Sequence, residues 1–402
     1  MTDQVNNMRA GRYVKQSTGY KAFVPASLPP DPPLQVDQEL LSLLSEADRA
    51  LGRLDGSTVT LPNPELFVFM YVRKEAVLSS QIEGTQASLM DVLEFEAKTL
   101  EPGKPKDVEE VVNYVAAMNY GLERLKDLPL SLRLIREIHE KLLAGVRGGE
   151  RSPGEFRTCQ NWIGSPGCRL NEAYFVPPPP HEMRAALDAF EKFLHDERPM
   201  PTLIRVGLAH SQFETIHPFI DGNGRVGRLL ITFLLCEKSA LTRPLLYLSW
   251  FFKKNRTEYY ERLQAVRDRG DWEGWLKFFL KGVEVVSREA TETARQIISM
   301  RETHRQKVVK RFGDRSGNAF TLLEQLYWRP IISVQTAMEI TKLSYANANN
   351  LVARFQELGL LKELTGQRRN RRFSYDPYLT LFSDQHAGVT EQARGVENTD
   401  RV

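Results

Sequence analysis

Cysteine is scarce in this chain of 402 residues. Its three cysteines, Cys159, Cys168 and Cys236, are an odd number, lie far apart and lack CxxC spacing. We therefore expect neither a disulfide framework nor a structural zinc site. No apolar stretch approaches the roughly 18 residues that a membrane-spanning helix needs, and the N-terminus lacks the basic-then-apolar layout of a secretory signal. The sequence predicts a cytoplasmic protein without a membrane partner.

A strong charge of one sign is also missing. The 54 Lys and Arg against 51 Asp and Glu leave a net charge of +3, so the overall charge does not indicate a nucleic-acid partner. Hydrophobic residues are 42% and charged residues 26% of the chain, which is typical of a soluble globular protein. The length predicts two or three domains.

The first third of the chain divides into an arm and a helical region. Residues 1–35 end in a proline-rich stretch that excludes helix and central strand, so we predict an extended arm, either loose or laid over the first domain. From Val36 to about residue 105, apolar residues recur at mostly helical spacing. We predict an N-terminal helical region there.

The remainder is predicted to be mainly α-helical. Helical patterns cover residues 106–295, interrupted by a β-hairpin from Phe156 to Val176 that a proline run ends. Residues 296–385 show a charged connecting helix and then helix, helix, helix and hairpin, the order of a winged helix-turn-helix domain. Residues 386–402 are polar, and we predict a disordered tail.

The segment from Asp221 to Arg228, DGNGRVGR, joins two apolar helical stretches. Glycines at a helix start let backbone N–H groups approach an anion, and the helix N-terminus favours negative charge. Arg225 and Arg228 lie three residues apart, so both can face one pocket from the first turn. An acid, an amide and two guanidiniums beside His217 suit a metal-bound polyphosphate.

Two other interpretations of this segment were weighed. Its glycines satisfy GxGxxG, but a dinucleotide fingerprint needs a preceding strand, and a helical pattern with His and Pro precedes this one. His210, Glu214 and His217 fall on one helix face and could form a metal site, although such a pattern is more often a packed polar network. The chain contains no Walker A sequence.

The run HPFIDGNGRVGR, from His217 to Arg228, resembles the signature of the Fic family, H-P-F-x-[DE]-G-N-G-R-x-x-R, at every fixed position. The resemblance covers roughly residues 36–290 and implies a helical core with a β-hairpin flap. It also implies transfer of AMP from Mg²⁺-bound ATP to a Ser, Thr or Tyr hydroxyl of a target protein or of the protein itself. Removal of AMP, transfer of another phosphate group, and an ATP-sensing winged-helix transcription regulator remain open.

The resemblance assigns a role to each position of the loop. His217 would be the general base, Asp221 would hold Mg²⁺, and Phe219 would anchor the loop in the core. Arg225 would pair with the β-phosphate and Arg228 with the γ-phosphate. The residues that would cradle the phosphates, through backbone amides and the Asn side chain, are Gly222, Asn223 and Gly224.

Two further segments correspond to family features. Tyr260 matches a position where the family places an aromatic ring against adenine, whereas Tyr259 is equally well interpreted as a packing residue. Arg267 stands where some relatives carry Asn. The hairpin 156–176 would be the flap, which either docks an extended target segment or only covers the core. The resemblance is also compatible with a homodimer.

Ser79 to Gly84, SSQIEG, matches the inhibitory signature of the family, [ST]-x-x-x-E-[GN]. This match implies that Glu83 pairs with Arg228 in the γ-phosphate position, so that ATP binds with its α-phosphate misaligned. Ser79, one turn earlier, would help to hold Glu83. The alternative is an ordinary helix end with an exposed Glu before a Gly C-cap.

The C-terminal domain carries four arginines within QRRNRR, residues 367–372, where a wing is predicted. Such a patch suits contacts with DNA phosphates. Asn347, Asn349 and Asn350 open the predicted recognition helix, and their amides are compatible with adenine edges. Because winged helices also serve in protein contacts, both kinds of partner remain open.

Overall fold

The computed structural model describes residues 9–59, 64–98, 107–146, 148–165 and 167–383. These residues pack as two compact units. The first takes the described residues within 1–55, 75–87 and 107–288, and the second those within 56–74, 88–106 and 289–402. Residues 36–105, predicted as one region, are thus divided between the units. The predicted tail, 386–402, lies outside the described residues.

Helices dominate both units, as predicted. No described helix is long and apolar enough to cross a membrane. The helices that lie partly or wholly in the first unit are α1 (Gln38–Val59), α2 (Glu65–Ile82), α4 (Val108–Arg124), α5 (Leu132–Leu142), α6 (Pro180–Leu194), α7 (Thr202–Ile216), α8 (Asn223–Glu237), α9 (Ser249–Lys254), α10 (Arg256–Arg269) and α11 (Trp272–Phe312). A short α3 (Leu89–Glu96) lies in the second unit.

The N-terminal segment forms a hairpin that the sequence did not predict. Gly11–Lys15 (β1) and Lys21–Pro25 (β2) form an antiparallel hairpin. The buried Phe23 donates its N–H to Val176 O at 2.9 Å. The prolines begin only at residue 25, which leaves the preceding chain free to pair. The described part of this segment is therefore laid over the first unit.

Helices α7 and α8 form the centre of the first unit, and almost every residue of both is buried. A helix buried on all sides carries its polar groups into the core, where each needs a partner. Helix α4 approaches α8 closely at Gly121, where a Cβ would lie 2.4 Å from the ring of Phe233. This close packing brings the start of α4 toward the start of α8.

The predicted flap, 156–176, reverses direction but forms little sheet. Among its described residues one antiparallel bridge joins Ile163 to Phe175, and a 3₁₀ turn covers Leu170–Glu172. The exposed ring of Tyr174 and the indole of Trp162 lie beside this bridge. Its far end continues to Val176, which pairs with β2.

The C-terminal part of the second unit, residues 313–383, shows the order of elements predicted for the C-terminal domain, with one additional strand and one additional short helix. The elements of this part are α12 (Gly317–Gln325), β3 (Ile331–Ser333), α13 (Val334–Thr341), α14 (Tyr345–Glu357), β4 (Lys362–Glu363), β5 (Arg372–Ser374) and α15 (Asp376–Thr380). The strands form an antiparallel sheet in the order β3-β5-β4. Ser333 and Ser344 cap α13 and α14 with their side chains, which explains where these helices begin.

Candidate active site

The loop between α7 and α8 has a sharply bent backbone. His217, directly after α7, is left-handed with φ 49° and ψ 59°, and it donates its N–H to Phe213 O at 2.9 Å. Gly222, directly before α8, has φ 76°. A left-handed non-glycine residue is uncommon and is retained where the surroundings fix it. The bend places the His217 side chain beside the N-terminus of α8.

Asn223 closes this loop with its side chain. Its Nδ2 donates to Phe219 O at 2.8 Å, and its Oδ1 accepts from Phe219 N at 2.8 Å. Because both polar atoms are engaged within the loop, the Asn side chain shapes the cradle, and the backbone amides are the groups left to face an anion. Phe219 is fully buried, in the anchoring position that the resemblance implied.

His139, on α5, contacts the loop and was not identified from the sequence as a site residue. Its ring stacks on Phe219 with centroids 3.7 Å apart. Its Nδ1 accepts from Gly154 N at 2.9 Å, so Nε2 donates to Asp221 O at 3.0 Å. Burial lowers the pKa of His139 to about 4, which keeps the ring neutral. A histidine on the apolar face of an amphipathic helix was the available signal.

The start of the flap segment fixes His217. Arg157 Nε and Asn161 Nδ2 both donate to His217 O, at 3.0 and 3.2 Å. The imidazole Nδ1 is buried against the backbone of Glu214 and has no well-aligned hydrogen-bond partner among the described residues. Burial, aided by Arg267 and Arg157, lowers the pKa of His217 to about 3. The ring is neutral at pH 7 and able to accept a proton.

Arg228 is gripped by the C-terminal end of α2. Its Nη2 lies 2.6 Å from Glu83 Oε1 and 3.0 Å from Ser79 O, and its Nε donates to Ser79 Oγ at 2.8 Å. We refer to Glu83 and Arg228 as the helix-end pair. The Arg228 side chain is 2% exposed and that of Glu83 35% exposed. Burial opposes ionisation of Glu83, but Arg228 outweighs it and the pKa of this carboxyl is lowered.

The Glu83 carboxylate lies against the first turn of α8, at a place that we refer to as the anion position. A Cβ on Gly224 would lie 2.3 Å from Glu83 Oε1, so the carboxylate rests on the second residue of the helix, where N–H groups and the dipole favour negative charge. Gly84, with φ 100°, follows it. Gly84 N bonds to Gln81 O and Thr85 N to Ser80 O, the glycine-ended pattern of a helix terminus. The segment Ser79–Gly84 is therefore both the end of a helix and the segment that contacts Arg228.

Arg225 meets a different carboxylate. Its Nη1 lies 3.1 Å from Glu110 Oε2, and the two side chains are 4% and 6% exposed. We refer to these residues as the buried pair. Arg225 Nη2 lies 3.6 Å from Asp221 Oδ1, whereas its Nε has no hydrogen-bond partner among the described residues. Glu110 was not identified from the sequence, because it lies 115 positions from Arg225 in no recognisable motif.

Asp221 presents a half-buried carboxylate at the edge of the loop. Its Oδ1 accepts from Gly222 N at 2.6 Å, and Arg151 Nη1 lies 3.4 Å from its Oδ2. In the described parts of the chain no group of three or more His, Cys, Asp or Glu residues could hold a metal. A single carboxylate next to a phosphate cradle nevertheless fits Mg²⁺, which commonly binds through one or two carboxylates and the substrate's phosphates.

On the helix face that carries His210, Glu214 and His217, His210 is part of a packed polar network. His210 Nδ1 lies 2.8 Å from Gly227 O, and its Nε2 lies 2.8 Å from the Tyr259 hydroxyl. Burial lowers the pKa of His210 to about 3, so the neutral ring donates through one nitrogen and accepts through the other. A Cβ on Gly227 would lie 2.3 Å from Glu214 Oε1. That glycine therefore serves the packing of α7 on α8.

The two tyrosines of α10 separate as the sequence suggested. Tyr259 is fully buried in the network just described, whereas Tyr260 is exposed and lies below the guanidinium of Arg256 at 5.7 Å. Partial burial, together with the negative charge of Glu83, raises the pKa of Tyr260. Arg267 is buried, with its guanidinium 3.8 Å from the ring of Phe175.

Comparison with known proteins adds to this geometry. Residues 41–123 match the Fic/DOC family N-terminal region, and residues 129–235 match the Fic/DOC family itself. The chain is 29% identical over 249 residues to the protein adenylyltransferase Fic of Aedes aegypti, covering 60% of this chain and 46% of the relative. It is 32% identical over 203 residues to the protein of the same name from Culex quinquefasciatus, covering 49% and 37%. The chain thus spans less than half the length of these curated relatives.

A solved structure shares the fold. A Fic family protein from Desulfovibrio desulfuricans G20 aligns with a TM-score of 0.56 at 19% identity, covering 85% of this chain and 97% of that one. The predicted Fic-like helical core is confirmed at the level of the fold. The residues that carry the signature in the sequence are those that the structure gathers at the start of α8.

Proposed function

This chain is a member of the Fic/DOC family, and we propose that it is an adenylyltransferase that moves AMP from Mg²⁺-bound ATP to a Ser, Thr or Tyr hydroxyl of a protein. The observation that carries the proposal is the anion position at Gly224. There the carboxylate of Glu83 contacts Arg228 and lies against Gly224 of α8, in the loop that begins with the neutral His217. A phosphate group has the charge and size to replace that carboxylate.

In the proposed reaction His217 acts on the target and not on the nucleotide. The neutral imidazole takes the proton of the target hydroxyl while the hydroxyl oxygen bonds to the α-phosphorus. The bond from that phosphorus to the bridging oxygen breaks, and pyrophosphate leaves with the electron pair. The left-handed backbone of His217, held by Arg157 and Asn161, keeps the ring directed across the N-terminus of α8.

The loop's other residues position and neutralise the phosphates. Backbone N–H groups of Gly222, Asn223 and Gly224 form the cradle, with Arg225 at the β-phosphate and Arg228 at the γ-phosphate. Asp221 would hold Mg²⁺, which supplies neutralisation of the phosphate charge. Phosphoryl-type transfer depends mainly on positioning and on charge stabilisation of this kind. The exposed ring of Tyr260 is proposed to face the adenine.

The enzyme is proposed to be restrained by the helix-end pair. While Glu83 holds Arg228, the γ-phosphate has no guanidinium to pair with, and ATP binds with its α-phosphate displaced from His217. A displacement of about 1 Å can cost on the order of 10²-fold in rate. Ser79 supports this state through its two contacts with Arg228.

The flap is the proposed docking site of the target. The bridge between Ile163 and Phe175 leaves an edge along which an extended peptide can add by backbone hydrogen bonds. Trp162 and Tyr174 are exposed beside it, which gives apolar contacts for the target's side chains. A target hydroxyl bound at the flap would lie close to His217, because Arg157 and Asn161 at the start of the flap hold the His217 backbone.

The test is a transfer assay with the full chain carrying Glu83→Gly, Mg²⁺ and ATP labelled on the α- or on the γ-phosphate. We expect α-label, but no γ-label, on this protein or on proteins of a lysate. Transfer of γ-label would show a kinase instead. Label that never transfers, or release of AMP from a labelled target as the faster reaction, would also contradict the proposal.

A second candidate function is DNA binding by the C-terminal unit, with one contact that favours it. Arg371 Nη2 donates to Asn349 Oδ1 at 2.6 Å, which fixes the basic loop beside the first turns of α14. Arg368 and Arg369 are exposed at the tip of that loop, and Asn347 is exposed on the helix. Asn349 is engaged with the loop, so base contacts would come from its neighbours.

The DNA-binding proposal predicts a salt-dependent affinity for duplex DNA. Changing Arg368 and Arg369 to Gln should reduce the slope of log K against log salt by roughly one per lost phosphate contact. A matched control changes two exposed arginines of the first unit, Arg53 and Arg184. If the intact protein shows no affinity for DNA even at low salt, this candidate is wrong.

A further inference from the structure

We propose that Glu110 is a positioning residue that holds Arg225 in the pose that binds the β-phosphate, and so acts in the opposite sense to Glu83. The inference rests on the proposed function, because it takes a nucleotide polyphosphate as the ligand. Glu110 lies in the first turn of α4 and matches no position of the family signature quoted above. Its carboxylate contacts the loop through the buried pair and is not proposed to touch the nucleotide.

The two terminal nitrogens of Arg225 face different carboxylates, one closely and one at longer distance. Nη1 is bound to Glu110 Oε2 at 3.1 Å, whereas Nη2 points toward Asp221, 3.6 Å from its Oδ1. The guanidinium thus lies between a buried carboxylate and the carboxylate proposed to hold Mg²⁺. A phosphate that binds beside Asp221 would therefore meet an Arg225 guanidinium that is already oriented.

The buried position explains why a carboxylate is needed there. An arginine side chain is long and flexible, and a buried guanidinium without a counter-charge is strongly unfavourable. With Glu110 in place, the side chain is held in one orientation before substrate arrives, which is what catalysis by charge stabilisation requires. Without it, Arg225 would turn toward other acceptors, Asp221 first.

Helix packing keeps Glu110 from leaving its partner. Helix α4 is joined to α8 by the close approach of Gly121 to Phe233, and both helices belong to the first unit. Glu83, in contrast, stands at the last turn of α2, where the chain leaves the helix at Gly84. One carboxylate can be withdrawn by a change at a helix end, whereas the other moves only with the core.

The test uses nucleotides that differ in phosphate number. In the full chain carrying Glu83→Gly, binding of AMP, ADP and ATP is measured by calorimetry with Mg²⁺ present. Adding Glu110→Gln should weaken ADP and ATP by about tenfold or more, the scale expected for a displaced charge-assisted contact, and leave AMP nearly unchanged. Arg225→Ala should give the same pattern, and the double variant should be no worse than Arg225→Ala alone.

The matched control is Glu284→Gln, which also removes a buried, ion-paired carboxylate from the first unit. Glu284 pairs with Lys281 and Arg288 of its own helix, so all three nucleotides should bind as before. If Glu110→Gln is too unstable to assay, Glu110→Asp keeps the charge but draws it back by one methylene. It should weaken ADP and ATP by a smaller factor.

The outcomes separate this inference from the proposed function. If Glu110→Gln weakens all three nucleotides equally, or none, Glu110 has only a structural role and the inference is wrong while the proposed function stands. If the Glu83→Gly protein binds none of the three nucleotides, the proposed function is wrong and the inference falls with it. If Glu110→Gln weakens the binding of ADP and ATP but not that of AMP, the result supports both the inference and the proposed function.

Discussion

The two arginines at the start of α8 each meet a glutamate, but the two pairs differ in where the carboxylate comes from. Glu83 reaches Arg228 from the end of α2, is one-third exposed, and rests on Gly224 in the anion position. Glu110 reaches Arg225 from the first turn of α4 and is almost wholly buried beneath the loop. In the proposed function, Glu83 competes with the γ-phosphate of ATP, whereas Glu110 holds Arg225 ready for the β-phosphate.

If both proposals hold, similar ion pairs have opposite effects on activity. A carboxylate in the proposed phosphate position would restrain the site, whereas one that contacts the opposite end of a guanidinium would organise it. Exposure distinguishes the two in advance, because a restraint must be able to leave. The predictions below test this distinction, from the largest expected effect to the smallest.

The largest effect is expected from the removal of His217, the proposed general base. In the Glu83→Gly background, His217→Ala should reduce AMP transfer by about 10²–10⁴-fold, the range of general-base catalysis, with ATP binding retained. The imidazole acts on the target's proton and not on the phosphates. Initial rates of α-label transfer measure the loss of activity, and calorimetry measures ATP binding. Transfer at a near-normal rate would remove His217 from this role.

Stability distinguishes the pairs directly. Breaking a buried pair by removing one partner typically costs about 3–5 kcal/mol, so Glu110→Gln should lower the free energy of unfolding by that order. Glu83→Gln should cost less, because the carboxylate that it removes is one-third exposed and Arg228 keeps its two contacts with Ser79. Urea unfolding followed by circular dichroism measures both. Equal losses would mean that exposure does not separate the two pairs.

Much of the site was predictable because it lies in one contiguous stretch. The loop's bend follows from Gly222 and from the run between two apolar helices, and the match at Ser79–Gly84 led directly to Arg228. Glycine-rich helix starts and a helix-ending Glu-Gly are local signals. For such features the chain itself fixes the geometry, and the structure brings together the residues that the sequence named.

What the sequence could not supply came from distant segments. Glu110, His139 and Arg157 reach the loop only after α4, α5 and the flap have packed on α8, and none belongs to a motif. The N-terminal hairpin was missed because proline content outweighed a short strand pattern. Asn223 was assigned to the phosphates, although its amide closes the loop onto Phe219, a contact that only the folded backbone reveals.

The smallest effect concerns Glu214, another carboxyl on which the charge of Arg228 acts. Burial raises the pKa of Glu214 to about 7 from 4.5. Between those values the folded protein holds a proton that the unfolded chain releases, so this group's contribution to stability falls as pH rises. Glu214→Gln has no carboxyl at this position to titrate. The Tm of this variant minus that of the wild type should therefore rise by a few degrees from pH 5 to pH 7.5. A constant difference in Tm would show that Glu214 does not titrate in this way.

The measurement that tests the central claim most directly is the rate of self-labelling by α-labelled ATP in wild type and Glu83→Gly at equal concentration. If the restrained state predominates about 99:1, releasing Arg228 should raise the rate up to ~100-fold. Glu83→Gln, which keeps the helix end but removes the charge, should also activate, and Glu83→Gly with Arg228→Ala should lose the gain. If Glu83→Gly labels no faster than wild type, the helix-end pair is not a restraint, and Ser79–Gly84 is only the end of a helix.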